Sequence, residues 1–492
     1  MNPLFPDPRE ERKLSDDEVR ETLRNNDPYI DILDVGCGHS AEHIDAIIEA
    51  MAGNKRVKHV NLGLFGDISL EQLKRLVPVL PESLDILWDD PSSQKCVEFL
   101  KFLSDQHTTI KSLGVSSSEI RSIGLARAVA SFLESAIHLK DFSFNARREI
   151  IAERILDGVL SSNIENLSMG SVSIDSVTVF SSKYLPLREL TLVLHDDVST
   201  LRILGGALEY SQQCTLTHLD LSIFSSWSVD EELREFAALL PRACPMLTTL
   251  SLGVSTGGVM RDRILAAFAQ MCLELPHLRN LTLDFDCVTV TPSHMRPVFS
   301  QLDRLHLSDL MNAPSIASDC FVGCQNLQSL KLDFLDSSAS LLPFLETSLP
   351  TLTGLKELSF DSLDFSPAVE TALLRAVRDL DCLESVTLPV QCPGIRPVVA
   401  NEIYYLCMLR SVGGDDTLLN FPLGLYPQVI VKLTQLRWIN LVHHLVSEKH
   451  NELLGYRRRL VSAADHQHSD SEMLCSTACS RSKAVATSVL YT

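Results

Sequence analysis

Residues 244–283 read CPMLTTLSLGVSTGGVMRDRILAAFAQMCLELPHLRNLTL, and the order of apolar positions in them decides the fold. Leu247, Leu250 and Leu252 stand three and then two residues apart. The two-residue step is the alternation of a strand, which turns Leu250 and Leu252 to one face and Ser251 to the other. In ILAAFAQMCLEL (264–275) the apolar residues recur instead at three- and four-residue intervals, the mark of a helix with one buried face. The strand pattern then returns at Leu278, Leu281 and Leu283. One strand, one helix and a second strand of the same kind make a unit that repeats.

The same L-x-x-L-x-L pattern, with Ile, Val, Phe or Met substituting, runs along the chain. Upstream it stands at Ile30-Leu33-Val35, Val57-Val60-Leu62, Ile110-Leu113-Val115, Leu139-Phe142-Phe144, Ile164-Leu167-Met169, Leu187-Leu190-Leu192 and Leu216-Leu219-Leu221. Downstream it stands at Leu302-Leu305-Leu307, Leu327-Leu330-Leu332, Leu355-Leu358-Phe360, Leu383-Val386-Leu388 and Leu436-Ile439-Leu441. Weaker copies, Leu84-Leu87 and Leu409-Val412, fill the gaps. The period averages about 27 residues, room for a strand of about 5 and a helix of about 11, which is the range of leucine-rich repeats. The expectation is an α/β leucine-rich-repeat solenoid of about sixteen repeats. Its horseshoe carries parallel β-strands on the concave face and helices on the convex face.

Three segments follow. Residues 1–29 form an N-terminal capping segment, with LSDDEVRETLR (14–24) as a helix, Ser15 and Glu18 as its capping box, and Leu14 and Val19 as a hydrophobic staple. Residues 30–445 are the solenoid. Residues 446–492, Ser-rich and aperiodic, are expected to be a flexible tail. Residues 1–29 have no apolar signal-peptide core, and no stretch approaches 18 apolar residues. Thirteen cysteines, an odd number scattered along the chain, then read as reduced thiols in the cytoplasm or nucleus. A net charge of −20 repels phosphate backbones and anionic membranes, so neither nucleic acid nor membrane is expected as a partner. The one compact basic run is Arg457-Arg458-Arg459.

CPMLTTLSL (244–252) and CQNLQSLKL (324–332) match C-x-x-L-x-x-L-x-L, and LPHLRNLTL (275–283) matches it with Leu in the Cys place. In these units the chain, over about residues 30–441, resembles ribonuclease-inhibitor-like and cysteine-containing leucine-rich-repeat proteins. It is similar to the repeat region of F-box leucine-rich-repeat proteins, substrate receptors of SCF-type ubiquitin ligases. That resemblance implies a Skp1-like adaptor as partner. LFPDPREERKLSDDEV does not supply the L-P-x-E-like start of an F-box, so the ligase role stands as an alternative. The repeats also depart at the position three residues after the last core residue. Asn or Cys is usual there, and Leu310, Leu335 and Leu363 stand here.

The register exposes Asn61, Ser143, Ser168, Thr191, Asp220, Ser251, Thr282, His306, Lys331, Ser359, Thr387 and Asn440 on the sheet, most of them small and neutral. Trp438 is the best aromatic anchor for a partner. After four successive strands stand Asp284, Asp286, Asp309, Asp333, Asp336, Asp361 and Asp364. On strands about 4.8 Å apart, adjacent charges repel by about 0.9 kcal/mol in water. A basic partner segment relieves that repulsion; equally, Asp is favoured in turns for its own hydrogen bonding.

Other motifs lead nowhere chemical. His39-Ser40-Ala41-Glu42-His43 spells H-x-x-E-H but spans a turn into a helix and brings no third ligand. His466, His468, Cys475 and Cys479 match no common zinc spacing, and Cys320 and Cys324 read as core. There is no phosphate loop, and no Ser-His-Asp or Cys-His set can be placed. The expected function is a non-enzymatic protein-binding scaffold without cofactor or metal, binding on the concave face of the solenoid a protein partner with a basic segment. A GTPase-activating leucine-rich-repeat regulator is a further alternative.

Overall fold

The computed structural model describes residues 20–387 apart from residue 22 and the segments 26–30, 36–39, 64–67, 89–93, 107–108, 118–122, 146–148, 173–185, 196–198, 211–214, 226–229, 257–261, 286–293, 309–319, 334–340 and 361–365. The chain divides into two compact units, one within Arg12–Thr289 and one from Val290 onward.

In the first unit ten parallel strands lie side by side in chain order. They are β1 (Ile32–Val35), β2 (His59–Gly63), β3 (Ser83–Trp88), β4 (Ser112–Ser117), β5 (Asp141–Asn145), β6 (Asn166–Val172), β7 (Glu189–His195), β8 (His218–Ser225), β9 (Thr249–Thr256) and β10 (Asn280–Phe285). The intervening helices are α1 (Ala41–Met51), α2 (Leu70–Leu76), α3 (Gln94–Asp105), α4 (Ile123–Ser135), α5 (Glu149–Leu160), α6 (Ser199–Tyr210), α7 (Asp230–Ala243) and α8 (Asp262–Leu273). The architecture is that of a leucine-rich-repeat solenoid. Core residues fall where the repeat puts them: Leu247, Leu250, Leu252, Leu278, Leu281 and Leu283 are all buried. Leu250 pairs with Leu219 and with Leu281, so like positions stack into columns.

Most of the described repeats settle their backbone in the same way. Two successive N–H groups before a strand converge on one carbonyl of the preceding repeat. Thr248 and Thr249 donate to Thr217 O (2.8 and 3.0 Å), and Lys111 and Ser112 donate to Glu82 O (2.7 and 3.0 Å). The cysteine place closes the turn into the strand, since Leu247 N donates to Cys244 O at 3.2 Å and Leu278 N donates to Leu275 O at 3.1 Å. Cys244, Cys320 and Cys324 are buried and pack as small hydrophobes. Helix starts are capped by serine. Ser40 Oγ accepts from His43 N, and Ser69 with Gln72 forms a reciprocal capping box. Gln72 Nε2 also donates to Ala41 O (2.7 Å), tying one helix start to the previous one. Helices α4 and α5 pack closely enough that a Cβ on Gly158 would stand 2.6 Å from Ala130 Cα.

The third repeat corrects the sequence reading. Leu84, not Leu87, lies in the middle core column: it pairs with Val60 and Leu113, and Ile86 pairs with Leu62 and Val115. Leu87 faces outward and is 37% exposed. Pro81 occupies the first core place, so the only leucine pair at the right spacing was displaced by three residues.

The second unit carries β11 (Arg304–Ser308), β12 (Ser329–Leu332), β13 (Glu357–Phe360) and β14 (Ser385–Thr387), parallel and in order. Its helices are less regular among the described residues. There is one turn of α9 (Arg296–Phe299), an irregular stretch from Leu341 to Thr351 with a π turn at Phe344–Ser348, and a full α10 (Pro367–Asp379) capped by Ser366. Pro297, Pro343 and Pro350 explain the irregularity, since proline brings no N–H to a helical ladder.

Leu23, from the expected capping helix, is fully buried, and its carbonyl accepts from Asn54 Nδ2 at 2.6 Å. Leu14, Ser15, Glu18, Val19, the boundaries at 29 and 445, the repeats at 409–412 and 436–441, and residues 446–492 lie outside the described residues.

Candidate functional site: the outward face of the strand ladder

Three rows of outward side chains run across β1–β10, offset by two residues along each strand. The first holds Ile32, His59, Ser83, Ser112, Asp141, Asn166, Glu189, His218, Thr249 and Asn280. The second holds Asp34, Asn61, Asp85, Gly114, Ser143, Ser168, Thr191, Asp220, Ser251 and Thr282. The third includes Gly63, Leu87, Ser222, Gly253 and Asp284. These rows carry carboxylates at Asp34, Asp85, Asp141, Glu189, Asp220 and Asp284, and no Lys or Arg.

The cations lie one step earlier, at the N-terminal edge of the strands. Lys111 pairs there with Glu82 (2.8 Å), and Lys140 and Arg188 both pair with Glu165 (2.5 and 3.4 Å). The hydrogen bond from Lys140 holds the Glu165 carboxyl below its ordinary range against the opposing effect of desolvation, with the charges of Lys140 and Arg188 adding to it. Glu165 and Arg188, with Pro186, Thr215 and Thr217, line a shallow groove at this edge. Among the described residues, Lys and Arg thus stand at the edge, and the outward rows carry the carboxylates.

At the β1–β3 end the face is wired by side chains. Asn61 Nδ2 donates to Asp34 Oδ1 at 2.7 Å. His59 Nε2 lies 2.7 Å from Asn61 Oδ1 and 3.3 Å from Asp85 Oδ2, and Nδ1 lies 2.7 Å from Ser83 Oγ. Both partners of Nε2 accept, so that nitrogen carries a proton. Further along, Asn166 Nδ2 donates to Asp141, and His218 stands 3.8 Å from Glu189.

Of the residues expected to bind a partner, Asp284 stands on the third row, half-buried. His306, Lys331 and Asp333 come together in the second unit. Asp333 Oδ2 lies 3.0 Å from His306 Nε2, accepts from Ser308 Oγ at 3.1 Å and sits 3.9 Å from Lys331 Nζ. Burial works to raise the Asp333 pKa. The His306 hydrogen bond, the Lys331 charge, the Ser308 hydrogen bond and the His306 charge together hold it below the ordinary value. Ser308, His306 and Asp333 have the residue types of a hydrolytic triad but not its geometry. Both contacts use Nε2 of the one imidazole, so no proton can pass through the ring from one partner to the other. Asp286, Asp309, Asp336, Asp361, Asp364 and Trp438, like Leu310, Leu335 and Leu363, lie outside the described residues.

His43 is a buried residue of α1, and His39 lies outside the described residues, as do His466, His468, Cys475 and Cys479. Among the described residues no helix is long and apolar enough to cross a membrane. The acidity of the face escaped the sequence reading, which followed a single row and began it at Asn61. Asp34, in that same row, was left out by starting at Asn61, Asp85 was displaced by the slipped register, and Asp141 and Glu189 were legible only by reading a second row.

No family model matches the sequence, and no curated protein does. Among solved structures the chain is similar to the leucine-rich repeat-containing protein LegL7 from Legionella pneumophila, at 14% identity and a TM-score of 0.33, over 78% of this chain and 98% of that one. So distant a likeness bears no weight; the fold rests on the register of the parallel ladders.

Proposed function

We propose that this protein is a non-enzymatic interaction scaffold whose first unit binds a protein partner through a basic segment laid on the outward face of β1–β10. The observation that carries the reading is the charge segregation: among the described residues, six carboxylates and no Lys or Arg stand on the three outward rows, while Lys111, Lys140 and Arg188 stand at the strand edge. A single-sign face attracts and orients a partner of opposite sign. The expected seven-aspartate rim contributes Asp284 to this face.

Side-by-side affinity purification tests it, using the intact chain and a variant carrying Asp141→Asn, Glu189→Gln and Asp220→Asn, with the bound proteins identified by mass spectrometry. Proteins with Lys/Arg-rich segments are expected on the parent and depleted on the variant. An identical set on both would overturn the reading. Skp1-like adaptor and cullin among the proteins depleted from the variant would narrow it to a ligase substrate receptor.

A further inference from the structure

We propose that the β1–β3 end of this face is the anchor for one extended partner segment of the form apolar–x–Arg/Lys–x–apolar. The proposal rests on the reading above and names the ligand chemistry of one end of that face.

Two exposed apolar side chains bracket the carboxylates there. Ile32 on β1 is 57% exposed and Leu87 on β3 is 37% exposed. Ile32 shares its row with Ser83, so Leu87 lies two strands across and four residues along. Strand spacing and rise make those steps about 10 Å and about 13 Å, a diagonal of about 16 Å. Its midpoint falls at Asn61 on β2, and the residues either side of Asn61 in the same row are Asp34 and Asp85. Two carboxylates therefore flank the centre of the line joining two apolar contacts.

In an extended segment residues i, i+2 and i+4 share a side and span about 13 Å, and side-chain reach covers the rest of the diagonal. The central residue then arrives between the two aspartates. A guanidinium or ammonium there meets both; a neutral side chain would leave them without a cation.

The carboxylates are held in place for this. Asn61 donates to Asp34, His59 Nε2 stands 3.3 Å from Asp85, and neither aspartate has a Lys or Arg partner among the described residues. On β4, a Cβ at Gly114 would come within 1.9 Å of Asp85 Oδ1 and 2.7 Å of its Cγ, so the glycine is what lets this carboxylate lie where it does. The aspartates take a cation without having to move, and ordering costs fall on the ligand alone.

The test is a fluorescence-anisotropy titration of the full-length protein with a labelled nonapeptide, Gly-Ser-Leu-Ser-Arg-Ser-Leu-Ser-Gly. Saturable binding is expected, weakened at least tenfold by Asp34→Asn with Asp85→Asn, and at least threefold by Ile32→Ser, by Leu87→Ser and by replacing the peptide's arginine with glutamine. Gly114→Ala should weaken it as well while leaving the exposed contacts intact, and Glu98→Gln on α3, away from the outward rows, should change it less than twofold. Circular dichroism melts of each variant confirm that the fold is kept. Absence of saturable binding, or equal affinity for the parent and the double aspartate variant, would overturn the proposal. A decalysine peptide run in parallel separates the two readings. If it binds the parent and is lost with Asp141→Asn, Glu189→Gln and Asp220→Asn while the nonapeptide fails to bind, the basic-partner face stands and the anchor falls. If decalysine and the nonapeptide both fail to bind, both fall.

Discussion

Replacing Leu84 or Leu87 by alanine distinguishes two registers three residues apart in the third repeat. Leu84 is fully buried in the column of Val60 and Leu113, whereas Leu87 is outward and 37% exposed. Leucine to alanine removes three carbons, about 2.4 kcal/mol of transfer free energy at about 0.8 kcal/mol for each buried methylene. At Leu84 the space is sealed, and the cavity term brings the expected loss to about 2–5 kcal/mol. At Leu87 a third of the side chain already meets water and no closed cavity forms, so the loss should stay under about 1.5 kcal/mol. Solenoid stability is a sum of repeat and neighbour-interface terms, so the damage at Leu84 should concentrate in the adjoining repeats. Urea unfolding followed by circular dichroism gives the global shift. Hydrogen exchange at the amides of β2, β3 and β4 gives its location. If Leu87→Ala cost as much as Leu84→Ala, the assigned register of this repeat would be wrong.

Gly158→Val should destabilise the first unit by about 1–3 kcal/mol, because its Cβ would meet backbone atoms of Ala130 that cannot move aside; a melt unchanged within error would disprove that helix contact. Burial pushes the Cys96 and Cys272 thiols up to about 12, so at pH 8 both should resist iodoacetamide in the folded protein while exposed Cys382 is alkylated, as read by peptide mass spectrometry. The folded pKa of Asp333 lies below its unfolded value of about 3.9. Its contribution to stability is therefore fully present above that value and is lost as pH falls through the lowered folded pKa. Asp333→Asn should flatten this part of the stability profile in urea titrations across the acid range, and an unaltered profile would count against the His306–Asp333 contact.

The three-then-two spacing of core leucines was enough to place nearly every strand, because alternation leaves only one face that can be buried. The helix at 262–273 falls within a few residues of the periodic pattern at 264–275 for the same reason. The exceptions have local causes. Pro81 removed the first anchor of one repeat, and prolines at 297, 343 and 350 left the second unit with partial helices whose apolar period is too short to read.

The strand–helix alternation, the inward leucine columns and the cysteine turns were determined by the sequence alone, since each depends on residues within one repeat. Only the tertiary structure decided what the face is. Asp34, Asn61 and Asp85 are more than twenty residues apart from one to the next and become neighbours only through lateral pairing. Whether a carboxylate meets a lysine, a histidine or another carboxylate depends on the register between strands, which no single repeat contains. The chemistry of binding therefore sits in the stacking of the repeats, and their folding sits in each one.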